Sequence, residues 1–221
     1  MRITGFVPSK LNSERLPRKN VIALGGLPLA NYAVRILNQV PAINDVVIFA
    51  SEPEICKYIQ KDLKFKFLKR PHYLDTNTAT AQDFISEFLK LDSADIIVLL
   101  HITSPFIKPE TVSECIKKVA SGEFDSAFVA FELKKFAWYV GKTLNYDLEK
   151  PIPRTQDIEP VIIEQTGLYV FKRSLFEKKK QRVSRDSYIK VIDRFEGHDI
   201  DTREDFDLAE LILKTKLFSN G

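Results

Sequence analysis

The run IIVLL at residues 96–100 constrains this chain more than any other feature, because five consecutive apolar residues leave no polar face. A strand of that kind must be buried on both sides, which calls for a parallel sheet covered by helices above and below. Other short runs rich in β-branched or aromatic residues fit the same sheet: Ile3–Val7, Val46–Ala50, Ala127–Phe131 and Leu168–Phe171. Segments with helical spacing lie between them. Ala33, Ile36, Leu37 and Val40 form one apolar stripe, and Phe84, Ile85, Phe88 and Leu89 a second. Val112, Cys115, Ile116 and Val119 form a third, opened by Pro109 at the first helical position. A last helix is predicted from near Arg203, with Phe206, Ala209, Ile212 and Leu213 turned inward. This alternation predicts an α/β fold with a doubly wound, mostly parallel sheet of Rossmann-like type. Ligands of such sheets sit at the carboxyl ends of the strands.

Residues 1–221 fit a single domain. The pattern weakens from 132 to 161, a stretch with Trp138, Tyr139, Tyr146 and three prolines, Pro151, Pro153 and Pro160. It reads as an excursion from the core, suited to dimer contact. A net charge of +3 gives no argument for nucleic acid. No apolar run reaches the roughly 18 residues of a membrane helix, and the start does not resemble a signal peptide. Cys56 and Cys115 have no metal-ligand spacing, so buried, reduced thiols in a cytoplasmic protein are expected. The basic run EKKKQR at 177–182 reads as a solvated helix end rather than an RNA-binding patch.

The first strand runs straight into VPSKLNSERLPRKN, residues 7–20. Lys10, Ser13, Arg15, Arg18 and Lys19 put hydrogen-bond donors where α/β sheets hold phosphates. Each charge-assisted bond there contributes roughly 1.5–3 kcal/mol. A plain solvated basic loop is the competing reading. Neither a Walker loop nor a GxGxxG fingerprint is present, which sets aside P-loop NTPases and dinucleotide folds.

The same stretch resembles the nucleotide-binding signature of the CMP-N-acylneuraminate and CMP-Kdo cytidylyltransferases, roughly IPARxGSKxxPxKN. Pro8, Ser13, Pro17, Lys19 and Asn20 match it without a gap. LGGLPLANYAV at 24–34 resembles LxGxPLxxxxI, and LLHITSPF at 99–106 resembles LLQPTSPL. PRTQDIEPVIIEQTGLYVF at 153–171 is similar to RRQDLPxxYxxNGAIYxF, and DIDTREDFDLAE at 199–210 resembles DIDTxEDLxxAE. These motifs follow one another in order over nearly the whole chain.

The resemblance implies a nucleotide-diphospho-sugar transferase-like fold, a homodimer, and attack of a sugar-acid hydroxyl on the α-phosphate of CTP. That chemistry needs the triphosphate held, the leaving group neutralised and the reactants aligned. By resemblance, Lys10, Ser13, Lys19 and Asn20 hold the nucleotide, with Arg15 beside them, and Arg70 matches an Arg-Pro that helps bind it. An edge-strand cap is the other reading of Arg70. Asn12 stands where the family has glycine and can adopt a left-handed conformation. Lys10 replaces an arginine and Glu14 a lysine, so the phosphate grip departs from the family pattern.

His101 stands where the family has a glutamine facing the acceptor; a plain strand-end residue is the other reading. Ser104 matches a family site position, although Ser before Pro105 more often turns the chain. Arg154 and Gln156 match residues near the acceptor carboxylate, a surface arginine in a proline-rich loop being the other reading, and Thr166 replaces an asparagine there. These changes, with Ser51 in place of an aspartate, imply an acceptor that differs from ordinary sialic acid. On spacing alone, Asp199 and Asp201 could approach Mg2+ at the end of a strand, or Asp201 or Thr202 could cap the next helix. The resemblance favours metal for both aspartates and a catalytic role for Asp201 and Lys19. Glycosyltransferases also use an Asp-x-Asp pair, but after a mid-chain strand. A non-catalytic nucleotide-binding relative would keep the scaffold without turnover.

Overall fold

The computed structural model describes residues 1–11, 16–76 and 78–215. Its central sheet contains β1 (Ile3–Ser9), β2 (Asp45–Ala50), β3 (Lys66–Lys69), β4 (Ile96–Leu100), β5 (Ser126–Leu133), β6 (Val161–Lys172) and β7 (Tyr188–Val191). In space the order is β3-β2-β1-β4-β6-β5-β7. β6 runs antiparallel to β4 and β5, and every other neighbouring pair is parallel. The chain moves outward from β1 to β3 and then crosses back to β4, which makes the gap between β1 and β4 the switch point of the sheet.

Strand β4 explains why the sheet needs cover on both faces. Alternate side chains of a strand point to opposite sides. Ile96, Val98 and Leu100 join the core under α1 (Ala30–Asn38), α3 (Pro109–Ala120) and α5 (Arg203–Thr215). Ile97 and Leu99 join the core under α2 (Ala81–Leu91) and α4 (Arg173–Lys179). Burial of each such side chain contributes about 1.5–3 kcal/mol. The helices begin where their local chemistry directs. Thr80 and Asp83 form a capping box at α2, and Pro109 opens α3.

Four expectations need correction. β6 begins at Val161, seven residues before the predicted Leu168, and its register shifts between Gln165 and Tyr169. The early half pairs with β5 out beyond the core, so Ile162, Ile163 and Glu164 are exposed and show no buried pattern. The strand expected just before Asp199 does not form: β7 ends at Val191, and Asp193 then accepts the backbone N–H groups of Phe195 and Glu196 in a turn. Cys115 is buried as expected, but Cys56 is only half-buried; both are free. The excursion expected over 132–161 is shorter: β5 runs to Leu133 and β6 starts at Val161, and between them the described regular structure is a short ribbon, Trp138–Tyr139 with Lys142–Thr143. No helix among the described residues is long and apolar enough to cross a membrane.

Candidate active site

The carboxyl ends of β1 and β4 border a cleft of about 180 Å³ lined by Ser9, Lys10, Asn20, Arg70, Phe84 and His101, among others. On the β1 side, the chain leaves the strand and comes back through a short helical turn, Lys19–Val21. Asn20 fastens that return, its Nδ2 donating to Ser9 Oγ (3.1 Å) and to the Lys10 carbonyl (2.8 Å). Lys19 Nζ donates to Asp201 Oδ1 at 2.8 Å, joining the first loop to the far end of the chain.

Arg70 follows β3 directly, its N–H donating to the Ala50 carbonyl at 2.9 Å. Its guanidinium is buried and paired with Asp75, so the residue does more than cap an edge strand. Among the described residues, Arg70 Nε is a buried nitrogen without a hydrogen-bond partner. A buried unmet donor costs about 1–3 kcal/mol, and an anionic ligand in the cleft would relieve it. Lys10 Nζ reaches the Asp75 carbonyl at 3.4 Å.

On the β4 side, the His101 N–H donates to the Gly167 carbonyl at 2.9 Å, and the imidazole meets the Phe84 ring edge-on. Burial, and then the charges of Arg182 and Lys19, push the His101 pKa down to about 4 against the opposing pull of Asp201. The ring is therefore uncharged at neutral pH. Ser104 is buried and donates to Asp199 Oδ1 at 3.1 Å. Gly167 allows this packing, since a Cβ there would stand 2.7 Å from that of Ser104.

The Ile200 N–H donates to the Thr103 carbonyl at 2.8 Å, anchoring the segment that holds both aspartates. Burial raises the Asp199 pKa above the usual carboxylate range, with the Asp201 charge adding to it and hydrogen bonds from Thr103 and Ser104 opposing it. Thr202 caps α5: Asp205 N–H donates to Thr202 Oγ1 (3.3 Å), and Thr202 N–H donates to Asp205 Oδ2 (2.8 Å). That settles the cap on Thr202 and leaves the Asp201 side chain to Lys19. Among the described residues no three metal-ligating side chains cluster. Two neighbouring, partly desolvated carboxylates suit a Mg2+ ion, which often takes one or two carboxylates and completes its shell with water and substrate phosphates.

Lys10, Lys19, Asn20, Arg70, His101, Ser104, Asp199 and Asp201 thus converge on the switch point. Asn12, Ser13 and Arg15 lie outside the described residues. Arg154 and Gln156 are not brought into this cluster: both are exposed on the excursion, and Arg154 pairs with Asp157 at 2.7 Å. Thr166 is exposed beside Gly167. A second cavity of about 340 Å³, walled by Phe131, Ile163, Arg194, His198 and Asp199, opens on this side. Sequence reasoning missed Asp75, Phe84 and Thr103, which carry no local signal, and the inward reach of Arg182.

The cytidylyltransferase family model matches residues 4–207. N-acylneuraminate cytidylyltransferase A of Danio rerio is 24% identical over 216 residues, 94% of this chain and 50% of that protein. CMP-N,N'-diacetyllegionaminic acid synthase of Legionella pneumophila is 27% identical over 229 residues, 97% of each chain. The chain spans about half the length of several curated relatives that it matches, the Danio rerio protein among them. In fold it is similar to a solved CMP:2-keto-3-deoxy-manno-octonic acid synthetase complexed with CTP, with a TM-score of 0.71 and 15% identity over 98% of this chain and 100% of that one.

Proposed function

Since the chain belongs to the cytidylyltransferase family, we propose that it transfers CMP from CTP to an acidic keto sugar of the sialic acid type. The acceptor is an N-acylneuraminate, legionaminate, pseudaminate or Kdo. Its hydroxyl oxygen bonds to the α-phosphorus, the α–β phosphoanhydride bond breaks, the hydroxyl proton leaves to solvent, and pyrophosphate departs.

The observation that carries this reading is the Lys19–Asp201 ion pair at the switch point, flanked by Asn20, Arg70 and Asp199. In this reading Lys19, Lys10, Asn20 and the unmet Arg70 Nε hold the triphosphate. Asn12, Ser13 and Arg15 contribute from the same loop. Asp199 and Asp201 would hold Mg2+, which supplies positive charge to the phosphates when bound. His101, uncharged at neutral pH, hydrogen-bonds the acceptor alongside Ser104 and Thr166. Arg154 and Gln156 reach an acceptor from the excursion of a partner subunit in a homodimer. The exposed apolar side chains there, Trp138, Tyr139, Val140 and Ile152, support that contact. A cytoplasmic setting agrees with the free cysteines.

Pyrophosphate release from CTP and Mg2+ with each of the four acids tests the reaction, with Asp201→Ala as control. Release with one acid, lost in the variant, is the expected result. CTP binding without release would indicate a non-catalytic relative, and no CTP binding would overturn the reading.

A further inference from the structure

Arg182 closes the basic run EKKKQR, which on sequence alone reads as a solvated helix end. The structure turns it inward. Helix α4 stops at Lys180, whose left-handed φ of 53° reverses the chain. Arg182 then lies with its guanidinium carbon 3.7 Å from the centre of the Tyr169 ring. Tyr169 is fully buried on β6, in register with Leu99, two residues from His101, and its hydroxyl donates to Glu164. Among the described residues Arg182 forms no ion pair, whereas Lys19, Arg70 and Arg154 each have an acid partner.

A guanidinium stacked on an aromatic face keeps its N–H edge for a planar anion, and the ring holds it in place. Its position indicates which anion. Lys10, Asn20 and Arg70 stand on the β1–β3 side, where the triphosphate is expected. Arg182 approaches from β6, on the opposite side of β4, and its charge reaches His101. We infer that Arg182 binds the carboxylate of the sugar acid, fixing the acceptor against His101; this rests on the reaction proposed above. A bidentate Arg–carboxylate contact also selects acids over neutral sugars.

The test measures pyrophosphate release with the acid that turns over on the wild type, then on Arg182→Met and Arg182→Lys. The acceptor KM should rise roughly 10- to 100-fold in Arg182→Met, about 1.4–2.8 kcal/mol at 1.4 kcal/mol per tenfold. The CTP KM and the thermal midpoint should hold, kcat should stay within a few-fold, and Arg182→Lys should fall between. The methyl ester of the same acid should lose that factor on the wild type and nothing further on Arg182→Met. If Arg182→Met does not fold, the wild-type comparison of acid with ester and the Lys variant carry the test. Turnover with an unmoved acceptor KM overturns the inference alone, as does a rise confined to the CTP KM, which would assign Arg182 to the triphosphate. CTP binding without turnover of any acid removes the reaction and this inference together.

Discussion

On the β1–β3 side of the cleft, Lys10, Asn20 and Arg70 each reach a partner elsewhere in the chain, whereas on the β6 side Thr166 and, out on the excursion, Gln156 and Arg154 (paired with nearby Asp157) are exposed. The first side is held together by backbone carbonyls, a buried arginine and a strand end. Its groups are fixed before any ligand arrives, which lowers the ordering cost of binding a flexible triphosphate. The second side is built on a register shift in β6 and an excursion with few regular contacts. A rigid β1–β3 side joined to an open β6 side would suit the proposed reaction, with the nucleotide held on the first and the acceptor on the second.

The Lys19–Asp201 ion pair is the seam between the two sides. Lys19→Met removes the cation that joins the first loop to Asp201. Loss of one such electrostatic group lowers kcat by roughly 100- to 1,000-fold. The fall should appear in pyrophosphate release with little change in thermal midpoint, because Asp201 retains access to water. A fall in stability matching the fall in rate would make Lys19 structural instead.

Gly167→Ala perturbs the β4–β6 side, where the acceptor is proposed to bind. The added Cβ would press on Ser104, and overpacking of this kind costs about 1–3 kcal/mol. Urea unfolding should show that loss, while calorimetry should find CTP affinity nearly unchanged. Equal damage to CTP binding would mean that the two sides are one unit.

The smallest expected effect is a pH dependence. The folded His101 pKa, about 4, lies below its ordinary value of 6.5, so the unfolded chain binds the extra proton between those two pH values. The stabilisation is complete above pH 6.5 and is lost as pH falls towards 4. It should amount to about 1–2 kcal/mol once partial solvent access is allowed for. His101→Gln should flatten that limb of the stability profile. An unchanged limb would show that the imidazole is better solvated than its neighbours suggest.

The buried strands and helical stripes were legible because burial on two faces leaves a plain mark: IIVLL, the Phe88–Leu89 stripe and Pro109 all stand where their pattern placed them. β6 was half legible. Its buried end from Leu168 reads as a strand, but Val161–Gln165 lies beyond the core and leaves no periodic trace. Asp199 and Asp201 sit in a turn-derived segment held by Thr103 and Ser104, contacts nearly 100 residues away that no local pattern reports. Arg182 was hidden for a related reason. A basic run at a helix end has the same composition whether its last residue faces water or folds back onto a tyrosine.

Because β6 runs opposite to β5, the chain leaves the sheet and re-enters it at the same end of these strands, so residues 134–160 hang from a two-stranded stalk. Insertions or deletions at the end of that stalk would alter neither the strand order nor the positions of Lys19 and Asp201. Lineages can therefore remodel the outer segment while the site at the β1–β4 switch point passes through such changes untouched.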